Sequence, residues 1–413
     1  MKRESKLIVK KEYFISKFIY FIINFFCIPK NKKYIIVNPS GSEILFKNKY
    51  ISKNECFIID FNDLIFSKKN NEKNNHSNVL NFWILFFGLI KNPKLFIKSK
   101  YAWFVVSSAI LVRPKFIITY MDYVLHFYLA KNYYNKSRYI SIQVGRRSSE
   151  PGAFFELLKK ISKQEKLRCD YIFTYNKNHA NFYKKYIDTD AISSGSIRSN
   201  SYKILNEKKI EDSLLFISQF RNPKKTNVFM KYNEVSISHF DFYKSELELL
   251  KLIIKYCKKN NFKLKILSAA TLKHRMEDEI IFYNKHIGKE NYEMLEKKYI
   301  GHSYHLTDKF KYVCGINSTL LYEALGRGSR VGLFYIRGEF IPIVKNVKFG
   351  WPYDVNESGI FWTHKFSYQE VSRIIGNLIN LSEKEWINNT KNIIENVMLF
   401  DKDNVKLRSI LNN

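Results

Sequence analysis

The sequence predicts an α/β chain built from two parallel-sheet domains, and three observations predict it. From residue 33 onward, short β-branched or aromatic runs alternate with longer helical patterns. That rhythm marks βαβ units, because a strand reaches a parallel neighbour only through a long crossover. The rhythm breaks once, over the polar, lysine-bearing stretch 199–212, and then restarts. Lastly, 413 residues with 46% apolar content, 34 Phe and 28 Tyr suffice for two sizeable cores.

In the first half the candidate strands are 34–37, 56–60, 116–119, 139–143, 171–174 and 191–193, each a short apolar run ending at polar or glycine residues. Helices over 80–105, 122–133 and 176–186 fit between them. In the second half the strands are 214–218, 264–267, 312–314 and 331–334, with helices near 242–260 and 276–285. The expected organisation is therefore a basic, apolar N-terminal segment (1–32), a first Rossmann-like domain (33–200), a linker (201–212), a second Rossmann-like domain (213–380) and a helical tail (381–413).

The stretch from Tyr312 to Phe334 is the most informative. An apolar strand ends at Gly315, the pair Ser318 and Thr319 offers a helix cap, and Gly326 and Gly328 end the short helix before the next strand. The first amides of such a helix have no partners within it, and its dipole favours an anion. Glu323 lies four residues after Thr319, hence one turn deeper on the same face, where a carboxylate can take ribose hydroxyls. An ordinary capped helix with a solvated Glu has the same spacing.

Ligands of open parallel sheets collect beyond the carboxyl ends of the strands, which directs attention to the residues just after each one. Asp122 follows 116–121 and reads equally as a base for an acceptor hydroxyl or as the cap of a helix over 123–133. Gln143, Gly145 and Arg146 follow the strand at 139–143, and the paired Arg146 and Arg147 suit phosphate or carboxylate; an exposed basic loop is the alternative. Ser218 and Arg221 follow 214–218, where a guanidinium could neutralise charge on a departing nucleotide. His239, Asp241 and Glu246 cluster at the start of the next helix; Asp241 reads as its cap, while His239 and Glu246 stay open to acid/base roles. Asp188 and Asp190 form a DxD, but one placed before a strand and without further metal ligands, so it reads as a loop.

Walker A, GxGxxG, GxSxG and HExxH patterns are all missing, which argues against P-loop NTPases, nicotinamide dehydrogenases, α/β-hydrolases and zincins. The 69 Lys and Arg exceed the 38 Asp and Glu, for a formal charge of +31. Such an excess implies an anionic partner: a phosphate-rich substrate, an acidic membrane face or nucleic acid. No nucleic-acid reading module accompanies it, so nucleic acid is not expected. Five cysteines without CxxC spacing fit reduced thiols in a cytoplasmic protein. The apolar run 18–28, flanked by Lys17 and Lys30, is too short for a full span. It and the run 82–90 read either as core helices or as segments lying in an anionic bilayer face.

Taken together, residues 116–122, 139–146, 193–196, 216–221 and 317–328 resemble bacterial surface-carbohydrate (O-antigen and capsule) biosynthesis proteins of the Leptospira-type clusters. Their carboxyl half is similar to GT-B glycosyltransferases and glycerophosphotransferases. The chain departs from that pattern at Val144-Gly145, where the family usually has Asn-Gly. The resemblance implies two Rossmann-like domains facing a cleft, a nucleotide-sugar donor on the carboxyl half, and neither an obligatory metal nor a cofactor. It implies donor contacts from Ser218, Asn317, Ser318, Thr319 and Glu323, and acceptor contacts from Gln143, Gly145 and Arg146. Asp122, Arg221 and His239 are the implied catalytic candidates. The expected activity is sugar transfer to a lipid-linked or glycan acceptor at the inner membrane face. Glycerol- or ribitol-phosphate transfer, and a non-catalytic assembly role, are the alternatives.

Overall fold

The computed structural model describes residues 25–61, 81–149, 154–221, 228–232, 235–270 and 273–412. The expected segment 1–32 and the run 18–28 therefore lie, up to residue 24, outside the described residues.

In chain order the elements begin with β1 (Tyr34–Val37), α1 (Glu43–Lys47), β2 (Cys56–Ile59), α2 (Phe82–Lys91), α3 (Pro93–Lys98), α4 (Lys100–Val112), β3 (Phe116–Thr119) and α5 (Leu125–Ala130). They continue with β4 (Arg138–Ile142), α6 (Phe154–Ser162), β5 (Leu167–Thr174), α7 (Lys177–Lys184), β6 (Ile187–Ser193) and α8 (Ile197–Asn200). After the connector come β7 (Ile210–Ile217), β8 (Val228–Tyr232), β9 (Val235–Ser238), α9 (His239–Lys259), β10 (Lys263–Leu267), α10 (Lys273–Ile287), β11 (Glu293–Leu295), α11 (His302–Lys309) and β12 (Phe310–Gly315). The chain closes with α12 (Thr319–Gly326), β13 (Arg330–Phe334), α13 (Arg337–Phe340), β14 (Trp362–Thr363), α14 (Tyr368–Asn380), α15 (Glu383–Val397) and α16 (Val405–Asn412).

The fold is α/β with two six-stranded sheets. The first runs β2-β1-β3-β4-β5-β6, parallel at each of the pairings β2/β1, β1/β3, β3/β4 and β4/β5. The second runs β11-β10-β7-β12-β13-β14 and is parallel throughout. Its central strands are buried on both faces, as the unbroken burial of Arg330–Phe334 in β13 illustrates. Such strands must be apolar along their length, and the sequence pattern reported them for that reason.

The chain clusters into two compact units. One comprises residues 1–144, 161–173 and 183–191, and the other 145–160, 174–182 and 192–413. Three segments expected within 33–200, namely 145–160, 174–182 and 192–200, thus pack with the second unit, as does the tail after 381.

Several local expectations are corrected. The helix expected over 80–105 is three helices, because Pro93 cannot continue α2 and starts α3 instead, and Ser99 caps α4 by accepting from Ala102 N at 3.2 Å. Asp188 and Asp190 lie inside β6, not in a loop, and Asp188 pairs with Lys166, just before β5, and with Arg168 on it. The linker narrows to 201–209, since β7 already starts at Ile210. Among the described residues no helix is long and apolar enough to cross a membrane.

Candidate functional site

Strand order in the second sheet reverses between β7 and β12, where the chain first builds outward to β10 and β11 and then returns to build on the other side. Loops leaving the carboxyl ends of those two strands diverge, and that crevice is the ligand position of such sheets. Ser218 to Arg221 leave β7 there, and Ile316 to Ser318 leave β12.

Helix α12 starts at this point as its sequence anticipates. Ser318 is the cap, its hydroxyl accepting from Leu320 N at 3.3 Å. At the far end Gly328 takes φ +88°, its N–H reaches Leu325 O at 3.1 Å, and Ser329 N reaches Ala324 O at 3.0 Å. That reciprocal pair ends the helix where only glycine is unstrained.

Two further residues converge on the start of α12. Arg146 N donates to Thr319 Oγ1 at 3.2 Å, and its guanidinium lies 5.6 Å from the Tyr335 ring centroid. Arg337, the first residue of α13, spans the switch point: Nη1 donates to Asn317 Oδ1 at 3.1 Å and Nη2 to Gln219 Oε1 at 3.0 Å. Its guanidinium also sits 4.0 Å from the Phe242 ring centroid. With Arg337 only 8% exposed, a largely desolvated positive charge is fixed beside the first turn of α12. Asn317 is buried as well, and the crevice is walled by Ile316, Tyr335, Gly338, Val344 and Val347. Sequence reasoning passed over Arg337, although the strand-end rule applied to 331–334 leads to it.

Glu323 lies one turn into α12 and is buried. Its Oε1 accepts from Ser196 Oγ at 2.5 Å and from Tyr304 OH at 3.1 Å. Burial raises its carboxyl above the ordinary range, and these two hydroxyls act against that rise.

On the β7 side a chain of buried polar groups supports the loop. Ser218 Oγ bonds Tyr283 OH at 2.8 Å and accepts from Phe220 N at 3.0 Å, while Tyr283 OH donates to Glu246 Oε1. Glu246 Oε2 accepts from Gln219 N at 3.3 Å, and burial pushes this carboxyl up to about 7. Glu279 accepts from Ser268 Oγ at 2.5 Å and Ala269 N at 3.2 Å, so the loop after β10 is held the same way. Arg221 is exposed, and its carbonyl is bonded to His239 Nε2. Asp241 is not the cap of α9. Ser238 is, accepting from Asp241 N at 3.0 Å.

In the first unit Asp122 has no exposure. Its Oδ1 accepts from Val144 N at 3.1 Å, its Oδ2 from Tyr183 OH and its backbone carbonyl from Tyr128 OH at 2.6 Å. Nor does it cap a helix, since α5 starts at Leu125 behind Val124. A carboxylate held this way braces the strand end at Val144, and of the two sequence readings the helix cap is the one corrected. Gln143 is likewise buried, with its N–H on Phe173 O at 3.0 Å. Gly145 and Arg146, expected on the acceptor side, pack in the second unit. Among the described residues no cluster of three or more His, Cys, Asp or Glu could hold a metal.

A family model described as "putative O-antigen biosynthesis protein" matches residues 140–413. No curated protein matches the chain. Among solved structures, UDP-GlcNAc 2-epimerase from Neisseria meningitidis bound to UDP-GlcNAc is 12% identical, with 93% of this chain and 100% of that one covered and a TM-score of 0.49. The S. aureus MnaA–UDP structure is 13% identical over 92% and 95%, with a TM-score of 0.48. The wall teichoic acid polymerase TagF, H548A variant, is 12% identical over 92% and 87%, with a TM-score of 0.49.

Proposed function

The chain belongs to this O-antigen biosynthesis protein family, and on that premise we propose that it is a GT-B-like glycosyltransferase moving a sugar from a nucleotide-sugar donor to a lipid-linked or glycan acceptor. The observation that carries the reading is the convergence of Arg337 and the Arg146 loop on the capped start of α12. A helix dipole and two guanidinium groups together suit a phosphate. In this reading Asn317, Ser318 and Thr319 line the phosphate position and Ser218 shapes the loop opposite. Glu323 presents Oε2 to a ribose hydroxyl, its hydrogen bonds among the described residues falling on Oε1. Arg221 and Arg337 stabilise the negative charge that builds on the departing nucleotide. His239 acts on Arg221 by holding its backbone. Gln143 and Gly145 serve the acceptor side, and Asp122 positions the strand end that leads to them.

Work on a lipid-linked acceptor places the protein at the cytoplasmic membrane face. The exposed Phe86, Leu89, Ile90 and Ile97 on α2 and α3, with Lys91 and Lys94 beside them, support contact with an anionic surface.

Calorimetric titration with UDP, CDP, GDP, CMP and their sugar conjugates tests the donor site. One nucleotide series should bind, and Arg337→Ala should weaken it tenfold or more, in line with the loss of a charge-assisted contact of about 1.5–3 kcal/mol. Glu323→Ala should weaken the same series while the fold persists. Wild-type protein that binds none of them, or variants that bind as tightly as it does, would refute the reading.

A further inference from the structure

Glu246 is buried on α9 and bonded to the loop that leaves β7. Its Oε2 accepts from Gln219 N at 3.3 Å, and the side chain of that same glutamine accepts from Arg337 Nη2 at 3.0 Å. Arg337 lines the crevice with Asn317 and Tyr335, so a ligand phosphate can reach the guanidinium without reaching the carboxyl. One residue, Gln219, links a buried acid to the charge that faces the ligand.

A second buried acid stands close by. Tyr283 OH bonds Glu246 Oε1 and, at 2.8 Å, Ser218 Oγ, and Ser218 in turn bonds Glu279 of α10. The groups that face Glu246 are Tyr283 and Glu279 from α10, Arg337 from α13, and Tyr243 one turn back on α9 itself. Other charges on or beside α9 are engaged elsewhere. His239 bonds Arg221 O, Asp241 bonds Ser238, Lys255 lies over Tyr368 of α14, and Lys263 and Lys265 of β10 pair with Asp212 and Glu293. Burial pushes Glu246 up to about 7; the Tyr283 bond and the Arg337 charge oppose that rise, and Glu279 adds to it.

Both protonation states of Glu246 fit the same packing. Ionised, it accepts from the Tyr283 hydroxyl. Protonated, it donates to that oxygen and Tyr283 donates to Ser218 Oγ, since either atom of that bond can be the donor. A phosphate on Arg337 offsets the charge that favours the ionised form, so the carboxyl holds a proton more tightly once the ligand is bound. By reciprocity, the proton strengthens ligand binding by the same factor.

We propose that Glu246 is a positioning residue that links donor binding to proton uptake: without touching the ligand, it takes a proton from solvent when a phosphate engages Arg337. This rests on the nucleotide-sugar reading above. Affinity is then fullest at low pH and falls as pH rises through the range where Glu246 ionises. The test is calorimetric titration of wild type, Glu246→Gln and Glu279→Gln with UDP-glucose, UDP-N-acetylglucosamine and GDP-mannose from pH 6 to pH 9, in two buffers of different ionisation enthalpy. The phosphates of these conjugates are both diesterified and do not titrate in that range. Thermal unfolding reports whether each variant is folded. Wild-type affinity should fall about tenfold across the range, the equivalent of a shift of about one pH unit in the carboxyl. Glu246→Gln, which keeps an acceptor for Gln219 N but cannot ionise, should hold its affinity within about twofold, whereas Glu279→Gln should keep the fall. A fall that persists in Glu246→Gln, or disappears in Glu279→Gln instead, overturns the role of Glu246. The buffer comparison tests it on wild type alone, since binding at about pH 7.5 without proton uptake overturns it as well. Wild-type protein that binds none of the conjugates at any pH overturns the nucleotide-sugar reading itself, and the two failures are thereby distinguished.

Discussion

Replacing Glu246 by Gln should change how stability depends on pH. Glu246 is 1% exposed on α9, and burial takes its carboxyl from 4.5 up to about 7, against the opposing bonds from Tyr283 and Gln219 N. For an acid whose folded pKa lies above its unfolded one, the native state binds the extra proton between the two values. The stabilisation is complete below pH 4.5 and is lost as pH rises through about 7. At about 1.4 kcal/mol per pH unit, that interval is worth about 3 kcal/mol. Glutamine has no such proton, so its stability relative to wild type should improve by that amount across the window. At about 2–4 °C per kcal/mol for a unit of this size, the difference in Tm, variant minus wild type, should rise by roughly 6–12 °C between pH 4.5 and pH 8. Any constant cost of the new amide beside Gln219 N shifts the difference without changing its slope. Thermal unfolding of both proteins followed by circular dichroism at half-unit pH steps measures it. A difference that stays flat from pH 4.5 to pH 8 would refute the assignment of a buried, protonated Glu246.

Three other perturbations test separate parts of the structure. Arg327 is fully engaged: Nε and Nη2 reach Asp308 at 2.9 and 2.6 Å, Nη1 reaches Ser199 O and Tyr202 O at 2.9 Å each, and Nη2 also reaches Lys203 O at 3.1 Å. Arg327→Ala leaves Asp308 buried and unpaired, so a loss of about 3–5 kcal/mol is expected, partly regained in Arg327→Ala/Asp308→Ala; a Tm within about 2 °C of wild type would contradict it. Gly195 has φ +77° and an added Cβ would lie 2.0 Å from Leu399 O, so Gly195→Ala should cost more than about 2 kcal/mol in denaturant unfolding. If Asp122 is a strut, Asp122→Ala should lower Tm by leaving Val144 N and Tyr183 OH unsatisfied, whereas Asp122→Asn should keep turnover within about tenfold. A fall of a hundredfold in Asp122→Asn at unchanged Tm would restore its role as a base.

Much of the scaffold was legible in the chain because the signals are local. The runs 34–37 and 116–119 are strands with those same bounds, since a parallel strand buried on both faces has to be apolar at every position. The cap at Ser318 and the stop at Gly328 are equally local, set by backbone hydrogen bonds within a turn. Short edge elements such as β11 and β14 escaped notice because three or two residues carry no period.

Sequence by itself determined two α/β sheets, a capped helix at a strand end and the family to which the chain belongs. Only tertiary structure decided which polar groups are already engaged. Asp122 looked like a free carboxylate after a strand, but Tyr183 and Val144 claim both oxygens. Arg337 looked like an ordinary residue, and its bonds to Asn317 and Gln219 exist only after the strands have packed. Periodicity records burial along one element. The pairing of hydrogen-bond donors with acceptors is a property of elements distant in sequence, and it exists only once they have packed.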